Sequence, residues 1–259
     1  MARLILDINK SLEQNASVYY EKAKKFKKKI GGAKKALESA KQKLDKLEQQ
    51  QLKDYSNAAI PQLKPSEKEW YEKFRWFISS EGFFIIGGRD ATTNEIIIKK
   101  HTSPEDLVFH TDLAGSPFFV IKTEGKKVNE NTIKEVADAT VTFSRVWKMG
   151  LATTPVFYVK PEQVTKQAKA GEYLTKGAFM IYGKTNYIEN KVNCAVGVYN
   201  GKIMAGPLEA VRKHCEKYVV LDQGREKASD IAKYIQKQIG SNLDDIIRVL
   251  PSGGCKIKK

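Results

Sequence analysis

Between Leu12 and Leu47, apolar or small residues return at steps of four and three without a miss: Leu12, Ala16, Tyr19, Ala23, Phe26, Ile30, Ala33, Leu37, Ala40, Leu44 and Leu47. That spacing is the 3.5-residue period of a coiled-coil seam, so the chain is expected to open with one long helix over 1–53. A helix of about fifty residues measures roughly 75 Å at 1.5 Å per residue, too long to lie against a domain of this size, and is expected to project. Gly31 and Gly32 lower helix propensity at its centre and mark a point where it could bend or weaken. The seam needs a cover, either an antiparallel limb of the same protein or a second copy in a homodimer.

The rest of this helix is charged in an unusual way. Eight lysines and no acid fall between Lys22 and Lys35. A solvated outer face normally mixes signs and gains i,i+4 pairs. Eight lysines forgo that gain and repel one another, which points to an external polyanion. Lys22, Lys24, Lys25, Lys28 and Lys29 are the predicted phosphate contacts; such contacts carry no sequence information. The same bias holds for all 259 residues, where 45 Lys and Arg against 30 Asp and Glu leave +15. Nucleic acid is the first partner this suggests, an anionic membrane surface the second, and a merely solubilising surface the bland reading.

At 41 % hydrophobic, the remainder is rich enough to fold. Cys194, Cys215 and Cys255 are odd in number and form no CxxC pair, which argues against a zinc site or a disulfide framework and suits a reducing cytosol. No apolar run reaches the 18 residues of a membrane span, and the start has no signal-peptide pattern. A cytoplasmic protein without cofactor is expected.

Residues 54–65, with Pro61 and Pro65, read as a linker. Ser66 with Glu69 makes a capping-box pattern for a short helix, EKEWYEKFRWFIS, with Trp70, Phe74 and Phe77 on its core face. FFIIGG, NEIIIKKH, LVFHTD and FFVIKT then read as strands, and 131–149 as a helix. TPVFYVK is a strand, GAFMIYGKTNYI a strand bent at Gly183, and NKVNCAVGVYNGKIMAGP a hairpin turning at Asn200-Gly201. Leu208–Cys215, KYVVLDQG and Ser229–Ile239 follow as helix, strand and helix; Asn242 caps a last turn, and Pro251 with Gly253-Gly254 closes the fold. Such irregular alternation predicts an α+β domain with a mixed β-sheet and flanking helices, plus the long N-terminal helix.

Three clusters could carry function. In GGRDATTNE the glycines let backbone approach something closely, and Arg89 could grip phosphate, with Asp90 beside it; a turn with a structural Arg-Asp pair is the plain alternative. In FHTDLAG, His110 and Asp112 point to one face of a strand. With Asp90 and Glu95 they could compose a divalent-metal nuclease site, although a hydrogen-bonded structural pair is the commoner arrangement. Val164–Asn186 interleaves Lys166, Lys169, Lys176 and Lys184 with Tyr173, Phe179 and Tyr182, a pattern suited to stacking on unpaired bases. Lys99 and Lys100 add charge nearby.

EKEWYEKFRWFISSEGFFIIGGRDATTNEIIIKK, DLVFHTDLAGSPFFVIK and PEQVTKQAKAGEYLTKGAFMIYGKTN, in that order, resemble the successive signatures of the NFACT-R RNA-binding domain. The resemblance places that domain at 66–190, with 191–259 as a C-terminal α/β extension packed on it, similar to archaeal members. The head, LDINKSLEQNASVYYEKAKKFKKKIGGAKKALE, is similar to the start of the family's coiled-coil middle region. It implies a non-enzymatic role in ribosome-associated quality control, binding tRNA and the large ribosomal subunit that carries a stalled nascent chain. The family's NFACT-N domain and most of the returning coiled-coil limb do not occur in this sequence, so tailing of the stalled peptide is not expected of it alone. Ala114 stands where many members have a second histidine, and Tyr182 where many have arginine. Arg89, Asp90, His110 and Asp112 carry over by motif position. A metal-dependent nucleic-acid-processing enzyme and a coiled-coil interaction scaffold are the alternatives.

Overall fold

The computed structural model describes residues 5–57, 69–167 and 174–258, with the side chains of 45–57 outside that set. The chain divides into two units, Met1–Ser66 and Glu67–Lys259.

The first unit is α1 (Leu12–Asn57), 46 residues without interruption, including Gly31 and Gly32. It overruns the expected boundary at 53. Its start is locked by a reciprocal cap: Ser11 Oγ accepts from the Gln14 amide (3.2 Å) and Gln14 Oε1 accepts from the Ser11 amide (3.0 Å). The buried Asn15 amide gathers the carbonyls of Asp7, Lys10 and Ser11, and its Oδ1 accepts from the Asp7 amide. The leading segment is thereby folded onto the helix start.

The second unit is α+β, and every described strand pairing is antiparallel, in place of the mixed sheet expected. The first sheet contains β1 (Arg75–Ile78), β2 (Phe84–Gly87), β3 (Leu107–Thr111), β4 (Phe119–Lys122), β5 (Val156–Val159) and β8 (Asn186–Ile188), in the order β1-β2-β4-β3-β5-β8. β6 (Val164–Thr165) and β7 (Met180–Ile181) form a separate ribbon. The second sheet, β10-β9-β11-β12, uses β9 (Cys194–Tyr199), β10 (Lys202–Gly206), β11 (Tyr218–Glu226) and β12 (Cys255–Ile257). Helices α2 (Ala91–Lys100), α3 (Glu130–Thr142), α4 (Arg145–Met149), α5 (Leu208–His214), α6 (Ala228–Ile239) and α7 (Leu243–Val249) complete it. One buried cluster runs through both sheets, from Phe74, Phe77 and Phe119 to Val196, Met204 and Leu221. The extension beyond 190 therefore shares a core with the residues before it.

Four sequence expectations are corrected here. From residue 69, where the described part of EKEWYEKFRWFIS begins, a turn is followed by β1, whose Phe77 pairs with Ile85 and fills the core, and the expected Ser66 cap lies outside the described residues; strand pairing outweighs the helical spacing of the aromatics. NEIIIKKH is helix α2, because Asp90 caps it: Oδ1 accepts from the Thr93 amide (2.8 Å) and Thr93 Oγ1 accepts from the Asp90 amide (2.9 Å). The helix at 131–149 is two, α3 and α4, since Ser144 Oγ takes the Val146 amide (3.1 Å) and starts a new turn. Pro251 does not end the fold, because β12 follows it onto β11. The Asn200-Gly201 turn forms as read, with φ of 49° and 77°.

Candidate nucleic-acid interface

On α1 the charge is asymmetric. At 100° per residue, Lys22, Lys24, Lys25, Lys28, Lys29 and Lys35 fall within an arc of about 160°, facing away from the seam, while Lys27 and Lys34 flank its other side. All eight are exposed, and among the described residues none meets a carboxylate at ion-pair distance. Lys22 Nζ lies 5.4 Å from the Tyr19 ring centre. The seam residues Phe26, Ile30, Leu37 and Leu44 are also more than half exposed, at 57–60 %.

In the body the predicted cations divide. Glu95 takes Lys99 at 2.7 Å and Lys166 at 3.3 Å, and its Oε2 accepts from the Gly177 amide (3.3 Å). Its carboxyl is thereby held down at about 2, chiefly by Lys99. Lys166 also covers the Phe179 ring at 4.8 Å. Glu95 thus ties both flanks of 168–173 to α2 and neutralises two of the expected contacts. Lys100, Lys176 and Lys184 are exposed and meet no carboxylate among the described residues. Tyr182, which follows β7 of the small ribbon, and Tyr187, on the edge strand β8, are exposed on either side of Lys184 in sequence. Lys169 and Tyr173 lie outside the described residues.

His110 and Asp112 do not meet. The imidazole stacks on Phe118 (4.2 Å between centres) and one ring nitrogen lies 3.2 Å from the Ser116 carbonyl. Burial pushes its pKa down, so it is neutral at physiological pH. Asp112 accepts from the Tyr187 hydroxyl at 3.2 Å. With Asp90 capping α2 and Glu95 holding lysines, the four groups of the nuclease alternative have four separate tasks. Among the described residues no three His, Cys, Asp or Glu are placed to hold a metal ion.

The glycines of GGRD do permit close approach, but to the protein's own core. A Cβ on Gly87 would sit 2.3 Å from the Phe119 ring, and one on Gly88 would overlap Asn94 Oδ1. They bring Arg89 to a cleft of about 470 Å³ lined by Lys73, Arg75, Arg89, Asp90, Arg248 and the loop to Gly253. Arg75 and Arg248 did not stand out in the sequence. The available signal was Arg75 itself, a charge in the middle of an aromatic run, FRWFI.

Residues 73–183 match the family described as the NFACT protein RNA binding domain. The chain belongs to the NFACT family. This NFACT chain is 46 % identical over 201 residues to the archaeal Rqc2 homolog aRqcH of Methanocaldococcus jannaschii, covering 74 % of this chain and 30 % of that protein. It is 40 % identical over 179 residues to the human ribosome quality control complex subunit NEMF, covering 67 % and 16 % respectively. To the ribosome quality control complex subunit 2 of Schizosaccharomyces pombe it is 31 % identical over 190 residues, 71 % and 18 % of the two chains. The NFACT chain thus spans a third or less of the length of these relatives. Arg75 and Arg89 lie inside the matched domain; Arg248 belongs to the extension beyond it.

Proposed function

We propose that this NFACT chain is the RNA-binding portion of a ribosome quality control factor. It holds tRNA and the large ribosomal subunit bearing a stalled nascent chain, in the cytoplasm, and performs no chemistry of its own. The observation that carries this reading is the six-lysine face of α1, exposed and unmatched by carboxylates, in a chain whose body belongs to an RNA-binding family. A cationic face of that kind recognises phosphate density and not base sequence. Lys100, Lys176, Lys184, Tyr182 and Tyr187 supply a second surface, where exposed rings beside ammonium groups suit unpaired loops and ends of RNA. The names of the relatives supply the ribosomal setting.

The test is a tRNA gel shift across a salt series, together with co-sedimentation on isolated large subunits. Binding that weakens steeply with salt, and pelleting with the subunit, are the expected results. Binding indifferent to salt, or none, overturns the reading. The exposed seam of α1 supports pairing with a second helix, either the family's returning limb or another copy of the chain; sedimentation equilibrium on this chain separates the two, a dimer favouring the copy.

A further inference from the structure

The cleft beside Arg89 holds four cations and a single carboxylate. Lys73 precedes β1, Arg75 opens it, Arg89 precedes α2, and Arg248 lies in the last turn of α7. The carboxylate, Asp90, is engaged by the Thr93 amide and hydroxyl. Among the described residues none of the four cations meets a carboxylate at ion-pair distance.

A structural role explains part of this arrangement. Arg75 Nη1 donates to the carbonyls of Val249 (3.1 Å) and Leu250 (3.4 Å), and Arg89 Nη2 donates to that of Arg248, so two guanidiniums close the C-terminal end of α7. It does not explain the rest. Arg75 is only 7 % exposed and stacks on Phe143 (4.2 Å), yet its Nε and Nη2 donate to no described protein atom. Arg75 itself lines the cleft. Burial and the nearby Arg89 push Arg75 down to about 9, and burial and Arg248 lower Arg89. Crowded guanidiniums of this kind lack an anion. Ala228, the first residue of α6, completes the wall, and that helix start has no side-chain cap.

We propose that this cleft is a phosphate-binding site, in which Arg75 and Arg89 grip a phosphate from one side and Arg248 and Lys73 from the other. Planar guanidinium forks match phosphate oxygens two at a time, and the volume leaves room for an attached sugar. The phosphate comes from an RNA strand or a free mononucleotide. For the first source the inference rests on the RNA-binding reading above; the phosphate site itself does not.

The experiment titrates the whole chain with inorganic phosphate at constant ionic strength, following the arginine Nε–H resonances, and repeats the titration with a 5′-phosphorylated trinucleotide and its dephosphorylated form. Lys73→Ala with Arg248→Ala is the variant, since both side chains are exposed and the carbonyl clamp at α7 uses only the Arg248 backbone. Saturable shifts of Arg75 and Arg89, weakened about tenfold or more in a variant with an unchanged melting temperature, are expected. No saturable shift, or equal affinity in the variant, overturns the proposal. Loss of tRNA affinity in the variant assigns the phosphate to RNA; unchanged tRNA affinity with lost phosphate binding assigns it to a small nucleotide. If tRNA fails to bind the parent chain while phosphate still saturates the site, the RNA reading falls and the cleft stands.

Discussion

Reversing Lys25, Lys28 and Lys29 to glutamate puts the electrostatic reading of α1 to a quantitative test. All three are exposed and lie in the six-lysine arc. A broad polyanion facing that arc can neutralise about six charges, and each contributes roughly 0.7–0.9 to the slope of log affinity against log salt, so the helix should supply a slope near −4 to −5. Removing three contacts should flatten the slope by about 2–3 units, whatever the body adds to both proteins. Over a fourfold rise in salt the contribution of α1 then shrinks from a loss of roughly 300- to 1000-fold to one of about 20- to 40-fold. The helix itself should survive. The carboxylate introduced at position 28 would face Lys24 and the one at position 25 would face Lys22, gains of about 0.2–0.5 kcal/mol each against one new repulsion between position 25 and Glu21. Fluorescence anisotropy of labelled tRNA at five salt concentrations reads the slopes, and far-ultraviolet circular dichroism reads the helix. A variant with intact helix and an unchanged slope would refute the assignment of this face to phosphate.

Three further outcomes follow from the packing. Asp106 is 1 % exposed and accepts from the amides of Ser103 (2.7 Å) and Thr123 (3.1 Å) and from Lys122 Nζ, so Asp106→Ala orphans the two amides, leaves Lys122 with only the His101 carbonyl and Ser103 Oγ, and should cost about 3–5 kcal/mol by urea denaturation. A loss below about 1 kcal/mol would contradict that account. Burial raises the pKa of Glu135, whose Oε2 accepts from the Ser80 amide at 2.9 Å; stability from this group is full below its unfolded value and is lost as pH rises through the raised folded one. Glu135→Gln keeps an acceptor and should shrink the fall in melting temperature between roughly pH 4 and 7, whereas an unchanged fall assigns it elsewhere. Gly31→Ala with Gly32→Ala meets open space and should raise helix stability by about 1 kcal/mol per site, read as a higher melting temperature of the helical signal without loss of tRNA affinity.

The relation of sequence to structure differs between the two units. In α1 everything needed is local: heptad spacing, lysines without acids, and the Ser11–Gln14 cap lie within a few residues of one another, so the helix and its charged face could be read directly. Much of the second unit was also visible wherever a pattern was reinforced by its own turn, as at Asn200-Gly201 between β9 and β10 or Asn242 before α7. The errors fell on ambiguous runs. Three successive isoleucines read as a strand until Asp90 capped them, and only Ile97 reaches full burial. Trp70, Phe74 and Phe77 had helical spacing, and only pairing with β2 put Phe77 on a strand.

The candidate site follows the same division. The amino-acid sequence by itself determined the sign of the charge, the rod that carries it, and the residues at the GGRD turn. Which cations stay free was a tertiary decision. Glu95 can silence Lys166 only once β6 is carried against α2, 71 residues away in sequence. Arg75, Arg89 and Arg248 share a cleft because α7 ends beside β1 and the start of α2, across as many as 173 residues of chain. Coulomb energy depends on separation in space and on burial, and neither is written in local order. Charge content could therefore be read in advance, whereas uncompensated charge had to wait for the fold.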